Sequence, residues 1–357
     1  AFPGDPEAIR GHTRQVSAEY RALMMSRAHR AAGRVALASR PLLAALPRAN
    51  PAGAARSLAP TRAAVAPRAR PMRRPVEPEV ATGCWPRSLS GSAGISTDRV
   101  GVEVSDHVAT VTLQDQKTRN CLSTTMMTDL HDALVKLEAD PHVKVVVLAH
   151  TGKVFSSGHN LKELQLAQET TGDTKAIFET CNKLMLKVRS SRLPVIASIS
   201  GFATAAGCQL AATADMCIAG EGATFSTPGV SIGLFCHTPG VALGRAVGYK
   251  AAMHMLLTGD IITAEQGVRC GLVNEVVPAD ALAEHTRSVA LKIAKAPSAV
   301  IGLGKRTFYE QMAHGDVAEA YRYAGGVMQD NMSYPDAREG IGAFIDKRPP
   351  QWTDAGL

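Results

Sequence analysis

At 357 residues and 45% apolar composition, the chain is long enough to bury the core of one large domain or two ordinary ones. Its formal charge of +7 is uneven: residues 1–100 carry 16 Arg, no Lys and 6 acidic residues, whereas residues 101–357 carry 23 basic and 26 acidic side chains. Net charge therefore does not support a nucleic-acid footprint on the larger part. Seven scattered cysteines without a C-x-x-C pair fit neither a zinc site nor a disulfide framework and read as free thiols.

From Tyr20 to Val76 there is no acidic residue, and Arg, Ala, Ser and Pro dominate. That composition is expected of a mitochondrial transit peptide directing the protein to the matrix, or else of a disordered basic arm for an anionic partner. Met24 or Met25 is a candidate start. Residues 1–97 are read as a disordered N-terminal extension and residues 98–357 as the folded domain.

Within that domain, "HVATVTL" (107–113) and "VKVVVLAH" (143–150) are β-branched runs suited to strands. Between them, Met126, Leu130, Leu134 and Leu137 recur at helical spacing, with Ser123 or Thr124 as N-cap. "LPVIASIS" predicts a third strand and "ADMCIAG" a fourth, separated by a segment crowded with Gly and Ala. The 22 uncharged residues between Arg192 and Asp215 could span a bilayer by length, but Pro, Gly, Ser, Thr and Gln209 dilute them, and no membrane span is expected. Later segments are helical in pattern: 240–259, 263–271, 282–296 and a stretch ending "GIGAFIDKRPPQW". Strands and helices alternate first and helices dominate later, which gives an α/β chain.

Two segments have the pattern of a strand, a Gly turn and a helix: "FSSGHNLKEL" and the small-residue stretch from Ser200. Backbone N–H groups after such glycines are unpaired and, at a helix N-terminus, carry the positive end of the dipole. Two of them converging on one oxygen suit a thioester carbonyl that becomes an enolate, with small side chains letting the ligand approach. An Ala/Gly-rich helix packed on a sheet explains the same residues. "GLGKRT" (302–307) is not a phosphate-binding loop, since Ala299 stands where its first glycine belongs.

"SSGHNLKEL", "PVIASISGFATAAGCQLAATADMCIAGEGATFSTPGVSIGLF" and "LLTGDIITAEQGVRCGLVNEVVP" resemble the crotonase (enoyl-CoA hydratase/isomerase) superfamily, from about Val102 to Trp352. The resemblance implies a spiral of strand-strand-helix repeats with a helical C-terminal trimerisation region. It implies a homotrimer or hexamer and an acyl-CoA or enoyl-CoA thioester ligand, with coenzyme A present only as part of that ligand, no metal and no permanently bound cofactor. Carried over by position, the backbone N–H groups of His159 and Ala206 form the oxyanion hole, with the His159 imidazole facing outward. Ser157, His159, Asn160 and Leu161 run along the CoA arm, Lys117 and Arg119 are basic CoA contacts, and Phe344 and Lys347 match a pair that reaches a neighbouring subunit's CoA.

The departures from the family pattern bear on activity. Hydratases place one Glu where Gln209 stands and a second where Gly229 stands. Gln209 cannot take a proton at neutral pH and Gly229 has no side chain. Each missing acid or base costs ~10²–10⁴-fold, so ordinary hydration is expected to be very weak, and hydratase activity gained on returning Glu to both positions would confirm the carry-over. His237 is the candidate substitute acid or base, and Cys208 is expected to face the core. Three functions stay open: an enzyme of mitochondrial fatty-acid metabolism with non-standard acid/base groups, a non-catalytic acyl-CoA binder, and RNA binding, against which the charge of the folded part speaks.

Overall fold

The computed structural model describes residues 95–353. The leader expected over 1–97 therefore lies almost entirely outside the described residues. Ser96 and Thr97 are already tied to the folded body: Val102 N–H donates to Ser96 Oγ (2.9 Å), and Thr97 Oγ1 donates to Asp129 (2.8 Å).

The folded body begins with a hairpin, β1 (Val100–Ser105) against β2 (Val108–Leu113). Its two-residue turn, Asp106–His107, has positive φ at both positions, the conformation that follows the strand twist. The run expected to start at 107 therefore enters the sheet only at Val108. β1 was not expected, because its alternating VGVEVS is short and begins amid Gly and Ser. Helix α1 (Thr124–Ala139) comes next, with Ser123 Oγ accepting the Met126 N–H (3.1 Å) as N-cap. Met126, Leu130, Leu134 and Leu137 are all buried on it.

Three repeats then build the body. The first comprises β3 (Val145–His150), β4 (Val154–Ser156) and two helices, α2 (Leu161–Thr170) and α3 (Lys175–Ser190). The second is β5 (Val195–Ile199), β6 (Phe202–Thr204) and α4 (Ala206–Thr213). The third is β7 (Met216–Gly220), β8 (Thr224–Ser226), a 3-10 turn (Pro228–Ile232), α5 (His237–Ala246) and α6 (Tyr249–Thr258). This is the strand-strand-helix spiral that the resemblance implies. Residues 193–214 are thus divided among β5, β6 and α4, and among the described residues no helix is long and apolar enough to cross a membrane. The single helical pattern expected over 240–259 is broken at Val247 and Gly248, where extended backbone separates α5 from α6. Helix α3 was missed in the sequence, although Cys181, Leu184, Met185 and Val188 form its buried face.

Strands β1, β2, β3, β5 and β7 join the three-residue β10 (Glu275–Val277) in a six-stranded sheet ordered β1-β2-β3-β5-β7-β10, parallel apart from the first hairpin. Both faces are covered, so side chains alternate between two cores. Val146 and Leu148 of β3 join the main core with α1 and α3, while Val145 and Val147 pack under α8 (Leu282–Ala294). The short strands form a second sheet, β4-β6-β8-β9, in which β4, β6 and β8 run parallel and β9 (Ile262–Thr263) closes the edge antiparallel. The rest comprises α7 (Ala264–Cys270), β10 (Glu275–Val277), α8, and the C-terminal helices α9 (Ser298–Gln311), α10 (Val317–Asn331) and α11 (Pro335–Ile345).

A buried polar cluster fastens α9 to this body. Lys305 Nζ bonds Asp215 (2.7 Å) and the carbonyls of Val188 and Leu193, and Asp215 also accepts the Tyr309 hydroxyl (2.7 Å). The "GLGKRT" segment thus lies mid-helix, its lysine used as a clamp.

Candidate functional site

The parallel strands β4, β6 and β8 end at the same edge of the small sheet, where ligand sites of parallel sheets form. Each delivers one turn: Ser157–His159 after β4, Ala205–Ala206 after β6, and Thr227–Gly229 after β8. The strands are tied close to that edge by the Thr204 and Ser226 hydroxyls (2.9 Å) and by the Ala205 N–H donating to the Ser226 carbonyl (3.0 Å).

The first two turns meet at Gly158 and Ala206. Gly158 has φ +83°, and a methyl group there would stand 2.9 Å from the Ala205 Cβ and 3.1 Å from the Ala206 nitrogen. Ala205 itself has φ 51° and ψ −118°, a conformation that alanine adopts only under strain, and no side chain caps α4. The consequence is an open helix N-terminus. Among the described residues, neither the His159 nor the Ala206 backbone N–H has an acceptor. The small residues of this stretch have a packing cause: a Cβ on Gly207 would stand 2.4 Å from the Ser156 carbonyl oxygen. Helix α4 is seated directly on the end of β4.

Gln209 lies one turn into α4, 4% exposed, with its side-chain oxygen buried and without a partner. Gly229 is buried in the 3-10 turn. A Cβ on it would meet the Leu234 carbonyl oxygen and the Cys236 sulfur, each at 2.8 Å. The position is therefore closed as well as empty, so a side chain there needs the neighbouring turn to shift. Cys236 is buried against Gly229, and burial raises its thiol above the ordinary range. Cys208 faces the core, fully buried, its thiol also raised by burial. The six described cysteines are free.

The His159 ring differs from expectation. It does not face outward: it sits edge-on to Phe178 of α3 at 5.3 Å between centroids, with both ring nitrogens buried and unpartnered. Burial pulls it below the ordinary imidazole value, so it is neutral at physiological pH. The nearby Phe178 was invisible in the sequence because α3 itself was missed. His237 opens α5 as an exposed residue whose ring lies tilted against Phe235 (4.9 Å between centroids). Its neighbour Cys236 is the one turned toward Gly229.

Most of the expected CoA contacts come together around the first turn. Ser157 N–H donates to the Arg119 carbonyl (3.1 Å) and Leu122 N–H to the Gly158 carbonyl (2.7 Å), binding the 117–122 segment to the turn. Lys117 lies exposed in a 3-10 turn (Gln116–Thr118), and Arg119 follows it with a left-handed φ of 59°. Asn160 caps α2, its oxygen accepting the Lys162 N–H (3.1 Å) while its amide donates to Glu163 (3.2 Å). An Asp would cap equally well, which explains why Asn is tolerated there. Leu161 is exposed beside it. Phe344, 86% exposed, and Lys347 lie at the end of α11, whose Gly340 packs on Trp352, itself bonded to the Lys295 carbonyl (2.8 Å). These two residues are not drawn into the cluster by any described contact.

A family model described as enoyl-CoA hydratase/isomerase matches residues 103–355. The mitochondrial enoyl-CoA hydratase domain-containing protein 3 of Rattus norvegicus is 41% identical over 282 residues, covering 79% of this chain and 93% of its own. That of Homo sapiens is 43% identical over 249 residues, 70% and 81% of the two chains. The crystal structure of the human protein superposes with a TM-score of 0.69 at 42% identity, covering 71% of this chain and all of its own. An enoyl-CoA hydratase structure from Mycobacterium smegmatis gives 0.69 at 41% identity, covering 71% and 98%.

Proposed function

Because the chain belongs to the enoyl-CoA hydratase/isomerase family of the crotonase superfamily, we propose that its small-sheet edge binds the acyl group of an acyl-CoA thioester. The observation that carries this reading is the pair of unpaired N–H groups, His159 and Ala206, delivered by two abutting turns. Donors fixed in place and shielded from water stabilise a developing oxyanion at no reorganisation cost. The thioester oxygen lies between them, and the α4 dipole adds to the stabilisation. Ser157, Asn160 and Leu161 border the CoA arm, while Lys117 and Arg119 meet its phosphates. The mitochondrial localisation expected from the Arg-rich leader is shared by the named relatives.

Ordinary hydration is not the activity this site favours. The Gln209 amide orients a water or a carbonyl but moves no proton, and Gly229 offers neither a carboxylate nor room for one. The second reading is an acyl-CoA binder without turnover, and the same two positions favour it. The assembly is a homotrimer or hexamer. Exposed apolar residues on the 3-10 turn and on α5 and α6 support this, among them Ile232, Val241 and Tyr249, as does Phe344, which can reach a site supplied by a second copy.

Calorimetric titration of the full chain with butyryl-CoA and crotonyl-CoA tests the reading, alongside a hydratase assay on the latter. Both esters bind, free CoA binds more weakly, and crotonyl-CoA is hydrated at least ~10⁴-fold more slowly than by a two-glutamate hydratase. Failure of both esters to bind would overturn the proposal.

A further inference from the structure

We propose that Glu163 is a positioning residue for the thioester oxygen, its carboxylate clamping the turn that carries the His159 N–H to the start of helix α1; this rests on the acyl-CoA reading above. A donor aimed at an oxygen stabilises it without reorganisation only if the backbone carrying it is held in place. Backbone pairing holds this turn as far as His159. Ser157 N–H donates to the Arg119 carbonyl (3.1 Å), Leu122 N–H donates to the Gly158 carbonyl (2.7 Å), and Leu122 pairs with His159 in an isolated parallel bridge. Past that bridge the two segments are joined through Glu163. One of its oxygens accepts the Thr124 N–H (2.9 Å) and the Thr124 hydroxyl (3.0 Å), and the other accepts the Asn160 amide (3.2 Å).

Thr124 opens α1, and Glu163 lies in the first turn of α2, so one charge serves the positive ends of both helices. The Ser123 hydroxyl takes the Met126 N–H, which leaves the Thr124 N–H to Glu163. The clamp also depends on residue 160 being an amide. The Asn160 oxygen accepts the Lys162 N–H (3.1 Å) while its nitrogen donates to Glu163. An Asp would keep the first bond and turn the second into repulsion between two carboxylates. His159 and Asn160 are thereby held between two fixed points, the Leu122 bridge on one side and the Glu163 carboxylate on the other.

The test compares, by calorimetric titration of the full chain, butyryl-CoA with S-butyl-CoA, the thioether that lacks the carbonyl oxygen. Two hydrogen bonds to that oxygen should favour the thioester by about 5–100-fold in the parent. Glu163→Ala should lower this ratio by about 2–10-fold, the share of one bond, with little change in S-butyl-CoA affinity. A merely structural loss would weaken both ligands alike and leave the ratio where it was. Asn160→Asp, the milder change, should lower the ratio as well. Asn160→Asp/Glu163→Gln exchanges donor and acceptor across the same contact and should restore it. If the parent favours the thioester but Glu163→Ala and Asn160→Asp keep its ratio, the proposal fails and the acyl-CoA reading stands. If the parent binds both ligands equally, or neither, the reading fails with it.

Discussion

Replacing Gly229 by alanine adds one methyl group at a point 2.8 Å from both the Leu234 carbonyl oxygen and the Cys236 sulfur. The thiol can swing aside, but the carbonyl cannot, because the Leu234 N–H donates to the Gly229 carbonyl (2.9 Å) and fixes that turn. Overpacking of this kind costs about 1–3 kcal/mol. For a domain of this size the loss corresponds to a fall in Tm of about 2–12 °C. Thermal unfolding of Gly229→Ala measures it, with Gly229→Ala/Cys236→Ala as the companion variant. Removing the sulfur should recover only part of the loss, since the carbonyl remains. Gly229→Glu should be worse than Gly229→Ala, and it should therefore yield no hydratase even when paired with Gln209→Glu. A Gly229→Ala protein within ~0.5 kcal/mol of the parent, a shift typical of neutral surface changes, would refute the claim that position 229 is closed.

Relaxing the strained turn should have the opposite sign: Ala205→Gly removes about 1–3 kcal/mol of backbone strain against a smaller entropic cost, so the urea midpoint should rise. A fall would show that the φ of 51° is not strained. Lys305→Met leaves the part-buried Asp215 with the Val195 N–H and the Tyr309 hydroxyl but no cation and should cost about 1–3 kcal/mol, with Lys305→Met/Asp215→Asn recovering part of it in the same unfolding assay. Burial alone would push the Glu138 carboxyl up, but the Lys187 ammonium and the Arg192 N–H (2.6 Å) hold it below its ordinary value. A carboxyl depressed on folding stabilises above its unfolded value and loses that contribution as pH falls through the folded one. The urea midpoint of Glu138→Gln should accordingly depend less on pH below about 4.5 than that of the parent. Burial pulls His150 to about 4, so it should destabilise the fold progressively as pH falls from the ordinary 6.5 toward that value. Its imidazole resonances should titrate near 4, and a midpoint near 6.5 would contradict its burial.

Much of this molecule was legible in its residues. The β-branched runs 108–113 and 145–150, the Ser123 cap and the Met126–Leu137 spacing obey local rules, and local rules suffice for elements with strong periodicity. The glycine-marked turns at 157–159 and 201–206 were also legible, because a glycine between a strand and a helical run is a local signal. Short strands such as Val154–Ser156 and Phe202–Thr204 were not legible, because three residues carry no period and exist only through their pairing. Helix α3 escaped because its apolar face is interleaved with charge and becomes a face only against the rest of the core.

The sequence by itself determined the strongly periodic elements, the identities of Gln209 and Gly229 and the family resemblance, since these depend on residue identity and near neighbours. The tertiary structure alone decided that three turns, at 157–159, 205–206 and 227–229, share one edge. It also turned the His159 ring onto Phe178 and filled the space beside Gly229 with a carbonyl and a thiol. Those outcomes depend on groups distant in the chain meeting at van der Waals range, and no local pattern records which atoms will occupy a given volume.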